Sequence, residues 1–435
     1  MHADEDRFST LDSIDVNKPV RDRIREIHAV KLASFPVSCT LEKFVLLKLP
    51  RQCLWCCETS VSVALSLGLH GLSWQKERID VDELLAAERN GTLFTVYYAE
   101  KRGTDCVIAT IMFEAPSEDE AAEWVENTRI LVKWYSRVPM DAQRHVHVLL
   151  DERFEHAMQM WQLYEKLLKL AGIECHILPL SPTTYGLGIT KDDKLPEALV
   201  LVGDNTTLDN LLNGFLQQDQ ETWRYLVASI SIALLPSTND YFDATLSSVL
   251  PSTVICNIIK RKFRAIDAIL IQDKGKPARV TCTGCSFGML HPAKLLHHPL
   301  LSMVAWDTFV DPKAFDPYEG AISQHQIEVS SPYHRGHKRN WSGSFEKKTI
   351  TTNLEASKCQ NLVSVTVTKS TLFKDIPKAF LNPSDGMMDV RLVYKKSTLL
   401  GTKYQTNFGK CKYLELDNAL SLTVLPNFVM ICSDK

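Results

Sequence analysis

One short stretch places several polar side chains where a phosphate could bind. Leu201 to Phe215 reads LVGDNTTLDNLLNGF; it follows the strand-like run EALVLVG, and its leucines recur at helical spacing. The polar residues therefore lie at a strand-to-helix turn, where free N–H groups and the helix dipole favour an anion. Phosphate-binding turns usually contain several glycines, because the backbone must approach the phosphate oxygens closely. Here one glycine precedes four polar residues, and the candidate binding and catalytic residues are Gly203, Asp204, Asn205, Thr206 and Thr207.

Cysteines and histidines are the other residue types that could do chemistry. The chain contains two CxxC pairs, Cys53/Cys56 and Cys282/Cys285, and the histidines His145, His147, His297 and His298. A zinc ribbon separates its two pairs by about 15–20 residues, whereas these pairs lie far apart and in apolar, strand-like surroundings. We therefore expect buried thiols and no metal site. The histidines lack a partner motif, and the same interpretation applies to them.

Composition indicates an ordinary globular protein. The 435 residues are 45% hydrophobic and 23% charged, with a formal net charge of −3, so neither disorder nor a nucleic-acid partner is expected. Two or three domains are expected from the length. No stretch approaches the roughly 20 apolar residues of a membrane span, and the N-terminus is acidic and polar, unlike a secretion signal. We expect a cytoplasmic protein with peripheral contact to membranes, whose 12 cysteines are reduced.

The strand and helix patterns divide the chain into three regions. Residues 25–138 contain several strand-like runs and then a helix, capped by Ser117 with Glu120 three residues later. From 143 to 252, strands alternate with helices, which predicts a parallel sheet with right-handed crossovers. Residues 253–435 are again mostly strand-like, and Ser330 to Lys348 read as an exposed basic loop.

Several segments, in one order, resemble the diacylglycerol and sphingolipid kinase family, and most closely its ceramide-kinase branch. WQLYEKLLKLAGIECHI, NIIKRKFRAIDAI, FDPYEGAIS and PSDGMMDVRLVYKKST each resemble a family segment, and SIALLPSTNDYFDATL looks like the family's Pro-Ala-Gly-Ser/Thr segment with two residues deleted. LVGDNTTLDNLLNGF lies where the family has a Gly-Gly-Asp-Gly-Thr loop and a helix ending in Asn-Gly, here Asn213 and Gly214. The N-terminal region, with its strand ending in F-x-A before a Trp-containing helix, resembles a pleckstrin-homology domain.

The resemblance implies a multidomain α/β plus β protein. It would have a pleckstrin-homology-like N-terminal domain, a three-layer α/β nucleotide-type domain and a C-terminal β-sandwich that binds lipid. The family transfers the γ-phosphate of ATP to a lipid hydroxyl with Mg²⁺ and a carboxylate, which requires close backbone approach, a metal-binding acid and cations. The residues that would correspond to nucleotide-binding and catalytic positions also include Thr238 and Asn239 in PSTND and Asp385 in SDGMMD.

Several positions depart from the family pattern. Gly203 matches the first glycine and Thr207 the threonine, but Asp204 and Thr206 replace glycines and Asn205 replaces the acid. Leu290, Pro299 and Ala305 stand where the ceramide-kinase pattern has an aspartate and two arginines, and only Asp434 remains of the final Asp-Gly-Glu. The first strand ends in LLDERFEHAM, so Asp151, Glu152 and Glu155 bring negative charge, which we interpret as a solvated loop. The residues that differ from the family pattern are the charged residues and glycines that the chemistry needs, whereas the hydrophobic residues between them match the pattern.

Three interpretations remain open. The first is a binding or regulatory protein with a ceramide-kinase-like fold and little or no kinase activity, which contacts a sphingolipid or diacylglycerol-class lipid at a membrane surface. The second is an active, divergent lipid kinase that uses ATP and Mg²⁺, with Asp204 as the acid and Lys260, Arg261, Lys262 or Arg264 as the cation. The third is a protein scaffold that uses the loop after Ser330. The sequence names neither a particular lipid nor a protein partner.

Overall fold

The computed structural model describes a set of separate ranges of the chain. These are residues 40–48, 60–138 without 104, 142–236 without 152 and 192, 250–288 without 274 and 283, and the later strands 322–324, 327–329, 350–352, 362–368, 386–398, 401–411, 413–416 and 420–432. The contacts divide the chain into two units. Unit 1 comprises residues 1–144, 165–174 and 259–261, and unit 2 comprises residues 145–164, 175–258 and 262–435.

Unit 1 contains a seven-stranded antiparallel sheet and a long helix. The strands are β1 (Leu41–Lys48), β2 (Ser60–Gly68), β3 (Gly71–Trp74), β4 (Glu77–Asp80), β5 (Leu84–Asn90), β6 (Leu93–Arg102) and β7 (Asp105–Glu114). Their order in the sheet is β4-β3-β2-β1-β7-β6-β5. Nearly every neighbour in the sheet is thus a neighbour in the chain, as expected when short turns join antiparallel strands.

The helix α1 (Glu118–Tyr135) begins where the sequence predicts. The Ser117 hydroxyl accepts the N–H of Glu120 at 3.2 Å, which satisfies one of the free donors of the first turn. Of the predicted inner face, Ala121, Trp124, Thr128 and Leu131 are buried and Val125 is half-buried. The Trp124 ring stacks on Phe94 of β6 with a centroid distance of 5.8 Å, so the helix packs against the sheet through this aromatic pair.

The predicted alternation of strands and helices lies mostly in unit 2, although residues 144, 165–174 and 259–260 of these elements belong to unit 1. The strands are β8 (Arg144–Leu150), β9 (Ile173–Leu178), β10 (Ala198–Gly203) and β11 (Ser231–Pro236). The helices are α2 (Ala157–Leu170), α3 (Pro182–Gly188), α4 (Asn205–Leu216), α5 (Gln220–Ser229) and α6 (Pro251–Lys260). β10 pairs in parallel with both β8 and β11, and every residue of β10 is buried. A strand covered on both faces explains why its sequence, ALVLVG, shows no polar alternation.

Strands from the C-terminal part of the chain extend this parallel sheet. They are β12 (Phe263–Asp273), β13 (Arg279–Thr281) and β22 (Leu420–Cys432), and the order is β13-β12-β22-β11-β10-β8-β9. β22 pairs with β12 in antiparallel and with β11 in parallel orientation. The last described strand therefore joins the sheet that contains β10, although almost two hundred residues lie between β11 and β22.

A second sheet of unit 2 is antiparallel and six-stranded. Its strands are β14 (Gly284–Gly288), β16 (Ile327–Val329), β17 (Ile350–Thr352), β18 (Leu362–Thr368), β19 (Met388–Thr398) and β20 (Gly401–Cys411), in the order β14-β18-β19-β20-β16-β17. The short strands β15 (Ile322–Gln324) and β21 (Tyr413–Leu416) pair with each other, and β21 also pairs with β22. The β-rich character predicted for residues after 252 is confirmed for the strands that the structure describes.

Candidate functional site

The carboxyl ends of β8 and β10 bring two polar segments to the same edge of the parallel sheet. The N–H of Asp151 donates to the Val202 carbonyl at 3.0 Å, so the pairing continues one residue beyond β8. Gly203 and Asp204 follow on β10, and α4 begins at Asn205. In open α/β sheets this edge is where ligands bind, which makes it the candidate functional site.

The first turn of α4 is closed by a capping box. The Asp204 carboxylate accepts the N–H of Thr207 at 3.0 Å, and the Thr207 hydroxyl accepts the N–H of Asp204 at 3.1 Å. The hydroxyl of Thr206 also donates to the Asp204 carboxylate, at 2.6 Å. A carboxylate of the chain therefore occupies the position at the helix start that an external anion would use.

Asp151 links the end of β8 to this helix start. Asp151 is only 6% exposed, and its carboxylate accepts the Thr207 hydroxyl at 2.5 Å. The Arg153 guanidinium binds the same carboxylate through Nε at 2.9 Å and Nη2 at 2.5 Å, and the Nη2 group also donates to Thr206 at 2.9 Å. A longer contact of 3.3 Å joins Nη2 to Asp204. We call these five residues, Asp151, Arg153, Asp204, Thr206 and Thr207, the Asp151 cluster.

Hydrogen bonds in the cluster favour the ionised forms of Asp151 and Arg153. Burial acts to raise the pKa of Asp151, but hydrogen bonds from Arg153 and Thr207 outweigh burial, and the pKa lies below the ordinary value. The hydrogen bond to Asp151 correspondingly raises the pKa of Arg153. Two carboxylates and one guanidinium give the cluster a net charge of −1.

Gly203 is required by a neighbouring side chain. A Cβ atom at this position would lie 2.2 Å from Thr207 Oγ1 and 2.9 Å from Thr207 Cβ. The glycine thus allows β10 to approach the side chain of Thr207, which is fully buried. The space above this glycine, where a phosphate-binding loop would admit a phosphate oxygen, is filled by Thr207.

The structure brings together most of the residues predicted from the loop. Gly203, Asp204, Thr206 and Thr207 lie at one place, and Asn205 occupies the first, largely buried position of α4. Two groups of predicted residues lie outside the described part of the chain: the candidate site residues Thr238, Asn239 and Asp385, and the departing positions Leu290, Pro299, Ala305 and Asp434.

The interpretation of the DERFE segment as a solvated loop is wrong for Asp151. This carboxylate is buried because Thr207 and Arg153 donate hydrogen bonds to it. The sequence alone does not show that these donors lie beside it. Arg153 itself was missed as a site residue. The signal in the sequence was its position two residues after Asp151, at the end of a strand, because an acid and an arginine at this spacing can form an ion pair within one turn.

Two further polar residues of α4 hold the adjacent strand β13. The Asn213 amide donates to the Val280 carbonyl and accepts the Val280 N–H, both at 2.9 Å. Asp209, one turn earlier, accepts the Thr281 hydroxyl at 2.8 Å and the Cys282 N–H at 3.1 Å. Burial raises the pKa of Asp209 to about 7, although these two hydrogen bonds act in the opposite direction. Asp209 was not predicted, and its i, i+4 spacing from Asn213 was the only signal.

Gly214, the second half of the Asn-Gly pair, lies at a helix crossing. A Cβ atom there would be 2.6 Å from the Thr183 carbonyl oxygen and 3.0 Å from Gly186 Cα in α3. The two glycines let α3 and α4 pack with their backbones in contact. Both residues of the Asn-Gly pair therefore have a packing or hydrogen-bonding partner inside unit 2.

The basic run KRKFR does not supply free cations at its first two positions. Lys260 is buried, donates to the Val81 carbonyl at 2.9 Å and lies 4.9 Å from the Tyr135 ring centre. Arg261 donates to the Arg137 carbonyl at 3.2 Å. All of these contacts lie within unit 1. Lys260 and Arg261 are thus bound to main-chain carbonyls of unit 1, and the expectation that either provides positive charge to a phosphate stays a prediction.

A buried aspartate explains the glycine of the SDGMMD segment. Gly386 has φ +71° and its N–H donates to Asp267 of β12 at 2.7 Å. Asp267 is buried and interrupts the pairing register of β12 with β22. Gly386 is thus needed for the left-handed turn before β19.

The described residues of this edge do not fit Mg·ATP. The N–H of Thr207 is donated to Asp204, and the two carboxylates are bound by Arg153 and threonine hydroxyls. A triphosphate would meet a cluster of net negative charge, and two like charges 4 Å apart repel by about 4 kcal/mol near a protein surface. In the ranges that the structure describes, the one group of acids close enough to share a metal is Asp80, Asp82 and Glu83 of unit 1.

Comparisons with known proteins show only a weak similarity to solved structures. No family model and no curated protein matches the sequence. A diacylglycerol kinase structure from Bacillus anthracis strain Sterne aligns over 68% of this chain and 98% of its own, with 10% identity and a TM-score of 0.38. Two further structures from the same organism are provisionally assigned the same activity. One aligns over 68% of this chain and 98% of its own, with 10% identity and a TM-score of 0.40. The other aligns over 68% of this chain and 99% of its own, with 9% identity and a TM-score of 0.39. Similarity at this level carries no information about activity, which must be argued from side chains.

Among the helices that the structure describes, none combines the length and the apolar character needed to cross a bilayer.

Proposed function

We propose that this chain is a ceramide-kinase-like protein of the lipid kinase family that binds lipid at a membrane surface and has lost most or all phosphate transfer. We assign residues 25–138 to a pleckstrin-homology-like domain, 143–252 to a degenerate nucleotide-type domain and 253–435 to a β-sandwich that binds a sphingolipid or diacylglycerol-class lipid. The protein would act in the cytoplasm, in peripheral contact with membranes.

The Asp151 cluster is the observation that carries the proposal. Phosphoryl transfer needs backbone N–H groups and cations that face the phosphates, and an acid that holds the metal. In the cluster, the N–H of Thr207, the guanidinium of Arg153 and the carboxylate of Asp204 are already bound to one another. Using Asp204 as a catalytic acid would require breaking its bonds to both Thr206 and Thr207.

The family-like residues that remain each have a structural reason to be there. Gly203 accommodates Thr207, Gly214 accommodates the main chain of α3, and Asn213 binds β13. Their presence therefore follows from the fold and requires no nucleotide. The chemically required residues of the same loop, the acid and the two further glycines, are the ones replaced.

Nucleotide binding provides the direct test. A site with a Kd of about 10 µM would gain about 2.7 kcal/mol at about 1 mM Mg·ATP, which raises the thermal midpoint measurably. We expect no such rise for the full chain. A clear rise that Gly203→Trp abolishes would refute the proposal. Gly188→Trp is the matched control, because a Cβ atom at Gly188 has no neighbour within 4 Å.

Phosphate transfer is measured separately from binding. With radiolabelled ATP, Mg²⁺ and ceramide, sphingosine or diacylglycerol in mixed micelles, we expect no labelled lipid product. The Asn205→Asp variant, which restores an acid to the family position, should remain inactive because the Asp151 cluster still fills the loop. Labelled lipid from the unmodified chain would favour the alternative of an active, divergent kinase.

An exposed apolar strip in unit 1 supports the membrane part of the proposal. Phe44 is 72% exposed and Leu46 is 37% exposed, and both lie on one face of β1. Met112 of β7 is 41% exposed and pairs with Lys48, so it lies on the same face. Adjacent exposed apolar side chains on a soluble fold are typical of interaction surfaces, including those that enter a lipid interface.

Vesicle flotation tests this strip. Burying one such side chain contributes about 1.5–3 kcal/mol, so the Phe44→Ser/Leu46→Ser double variant should bind vesicles at least about tenfold more weakly. Leu163→Ser is the matched control, since Leu163 is also 72% exposed but lies in α2 of unit 2. If the unmodified chain floats with neither neutral nor anionic vesicles, the proposed lipid binding is wrong, and the interpretation of the chain as a protein scaffold is favoured.

A further inference from the structure

The charges beside the apolar strip of unit 1 indicate which kind of membrane surface it contacts. The strip consists of Phe44, Leu46 and Met112. It lies on the side of the sheet away from α1, because the alternate residue Lys43 of β1 binds Glu123 of α1 at 2.6 Å. We call this side of β1, β2 and β7 the strip face. A membrane that approaches the strip also meets the other side chains of the strip face.

The strip face carries a small negative charge. In β1, β2 and β7, all of whose residues the structure describes, three charged side chains project to this side: Glu42, Lys48 and Glu114. Lys48 Nζ lies 2.7 Å from the Glu114 carboxylate, so the one cation of these strands on this side is held in an ion pair. Glu42 is exposed and lies two residues before Phe44. Two acids and one base give the strip face a formal charge of −1.

The strand β2 adds small, uncharged side chains beside the strip. Ala64 is paired with Phe44, and Ser62 is paired with Leu46. Because these neighbours are small, Phe44 protrudes from the strip face and is 72% exposed. Serine hydroxyls form hydrogen bonds with the oxygen atoms of lipid headgroups and carry no charge of their own. The strip is therefore bordered by groups that suit a neutral headgroup region.

Cations elsewhere on this side of the sheet are also bound to acids. On β4, Arg78 forms an ion pair with Asp80. On β5, the Glu88 carboxylate lies 2.7 Å from Lys166 of α2. Surfaces that recognise anionic lipids usually present clusters of about 4–8 lysines and arginines. An anionic headgroup would have to displace an acid from each of these cations.

We propose that the apolar strip enters a neutral, phosphatidylcholine-type bilayer and that anionic headgroups do not contribute to binding. This preference rests on the proposed function, since the same strip makes the membrane contact. Burial of Phe44, Leu46 and Met112 in the lipid interface supplies the attraction, which increases with the apolar area buried. The formal charge of −1 on the strip face gives anionic lipid no attraction.

Vesicle flotation of the full chain at two salt concentrations tests this preference. Phosphatidylcholine vesicles are compared with vesicles that contain about 30% phosphatidylserine, at about 0.05 and 0.5 M NaCl, where the Debye length falls from about 14 to about 4 Å. At low salt, we expect phosphatidylserine to leave the Kd unchanged or to raise it by up to about fivefold, the effect of one charge. At high salt, the two vesicle types should bind within about twofold of each other. Phe44→Ser/Leu46→Ser should bind both types at least about tenfold more weakly, since it removes two inserted side chains.

Reversal of one charge on the strip face tests the preference independently. Glu42→Lys changes the formal charge of the strip face from −1 to +1. We expect this variant to bind phosphatidylserine vesicles at least about fivefold more tightly than the unmodified chain at low salt, and this gain to disappear at high salt. Glu77→Lys is the matched control, because Glu77 is also exposed and lies in unit 1 on β4, which is separated from β1 by β3 and β2. The control should bind within about twofold of the unmodified chain.

Three results overturn the preference and leave the membrane contact in place. These are binding that requires phosphatidylserine and is lost at high salt, binding to neutral vesicles that Phe44→Ser/Leu46→Ser leaves unchanged, and equal affinity of Glu42→Lys and Glu77→Lys for phosphatidylserine vesicles. A chain that floats with no vesicle of either kind contradicts the proposed membrane contact as well. Circular dichroism and the thermal midpoint report whether each variant folds, and Glu42→Lys decides alone should the double variant not fold.

Discussion

Replacing Thr207 with valine is the sharpest test of the Asp151 cluster. Valine has nearly the same shape and the same branching at Cβ, so packing above Gly203 is kept and only the hydroxyl is lost. That hydroxyl donates to the Asp151 carboxylate at 2.5 Å and accepts the N–H of Asp204 at 3.1 Å. The substitution therefore removes the link between the end of β8 and the start of α4.

The expected cost follows from these two hydrogen bonds. A buried hydrogen bond to a charged group contributes about 1.5–3 kcal/mol, and an ordinary one about 0.5–1.5 kcal/mol. Asp151 retains its bonds to Arg153, so no carboxylate is left without a donor. We expect Thr207→Val to lower the free energy of unfolding by about 2–4 kcal/mol.

Thr206→Val is the matched control. Its hydroxyl also binds Asp204 and Arg153, but the residue is exposed, so water replaces the lost bonds at a cost below about 1 kcal/mol. Urea unfolding followed by tryptophan fluorescence gives the global change, and hydrogen exchange of the α4 amides gives the local one. If Thr207→Val costs no more than the roughly 1 kcal/mol expected for Thr206→Val, the buried bonds of the cluster do not stabilise this turn, and the main support for the proposed function is removed.

Other substitutions test the neighbouring contacts of α4. Gly214→Ala should destabilise unit 2 by about 1–3 kcal/mol in urea unfolding because its Cβ atom collides with α3, whereas Gly188→Ala should change little. Asn213→Ala removes two hydrogen bonds to β13 and should cost about 2 kcal/mol in the same measurement. The pKa of Asp209, raised to about 7, means that the folded state keeps a proton that the unfolded state releases near pH 4. Stability should therefore fall as pH rises from about 4 to 7, and Asp209→Asn should flatten this part of the profile of unfolding free energy against pH; an unchanged profile would contradict the assigned pKa.

Local patterns predicted much of the secondary structure. The cap at Ser117, the apolar face of α1 around Trp124, and the strand-to-helix turn at Gly203 are all present as expected. These features depend on contacts between residues a few positions apart, which the chain encodes directly. The addition of β22 to the sheet of β10 was not visible in the sequence, because strand pairing over such a separation depends on the whole fold.

The sequence by itself determined that the loop after β10 lacks the glycines and the acid of a kinase loop, because these are facts of residue type. Only the tertiary structure decided what the substituted residues do. It places Asp151 and Arg153, some fifty residues earlier in the chain, beside Thr207 and Asp204. The polar side chains at the carboxyl edge of the sheet therefore bind one another. It likewise brings His176 to His145 and His147. Both arrangements arise from the pairing of neighbouring strands, which joins residues that are distant in sequence and leaves no local pattern in it.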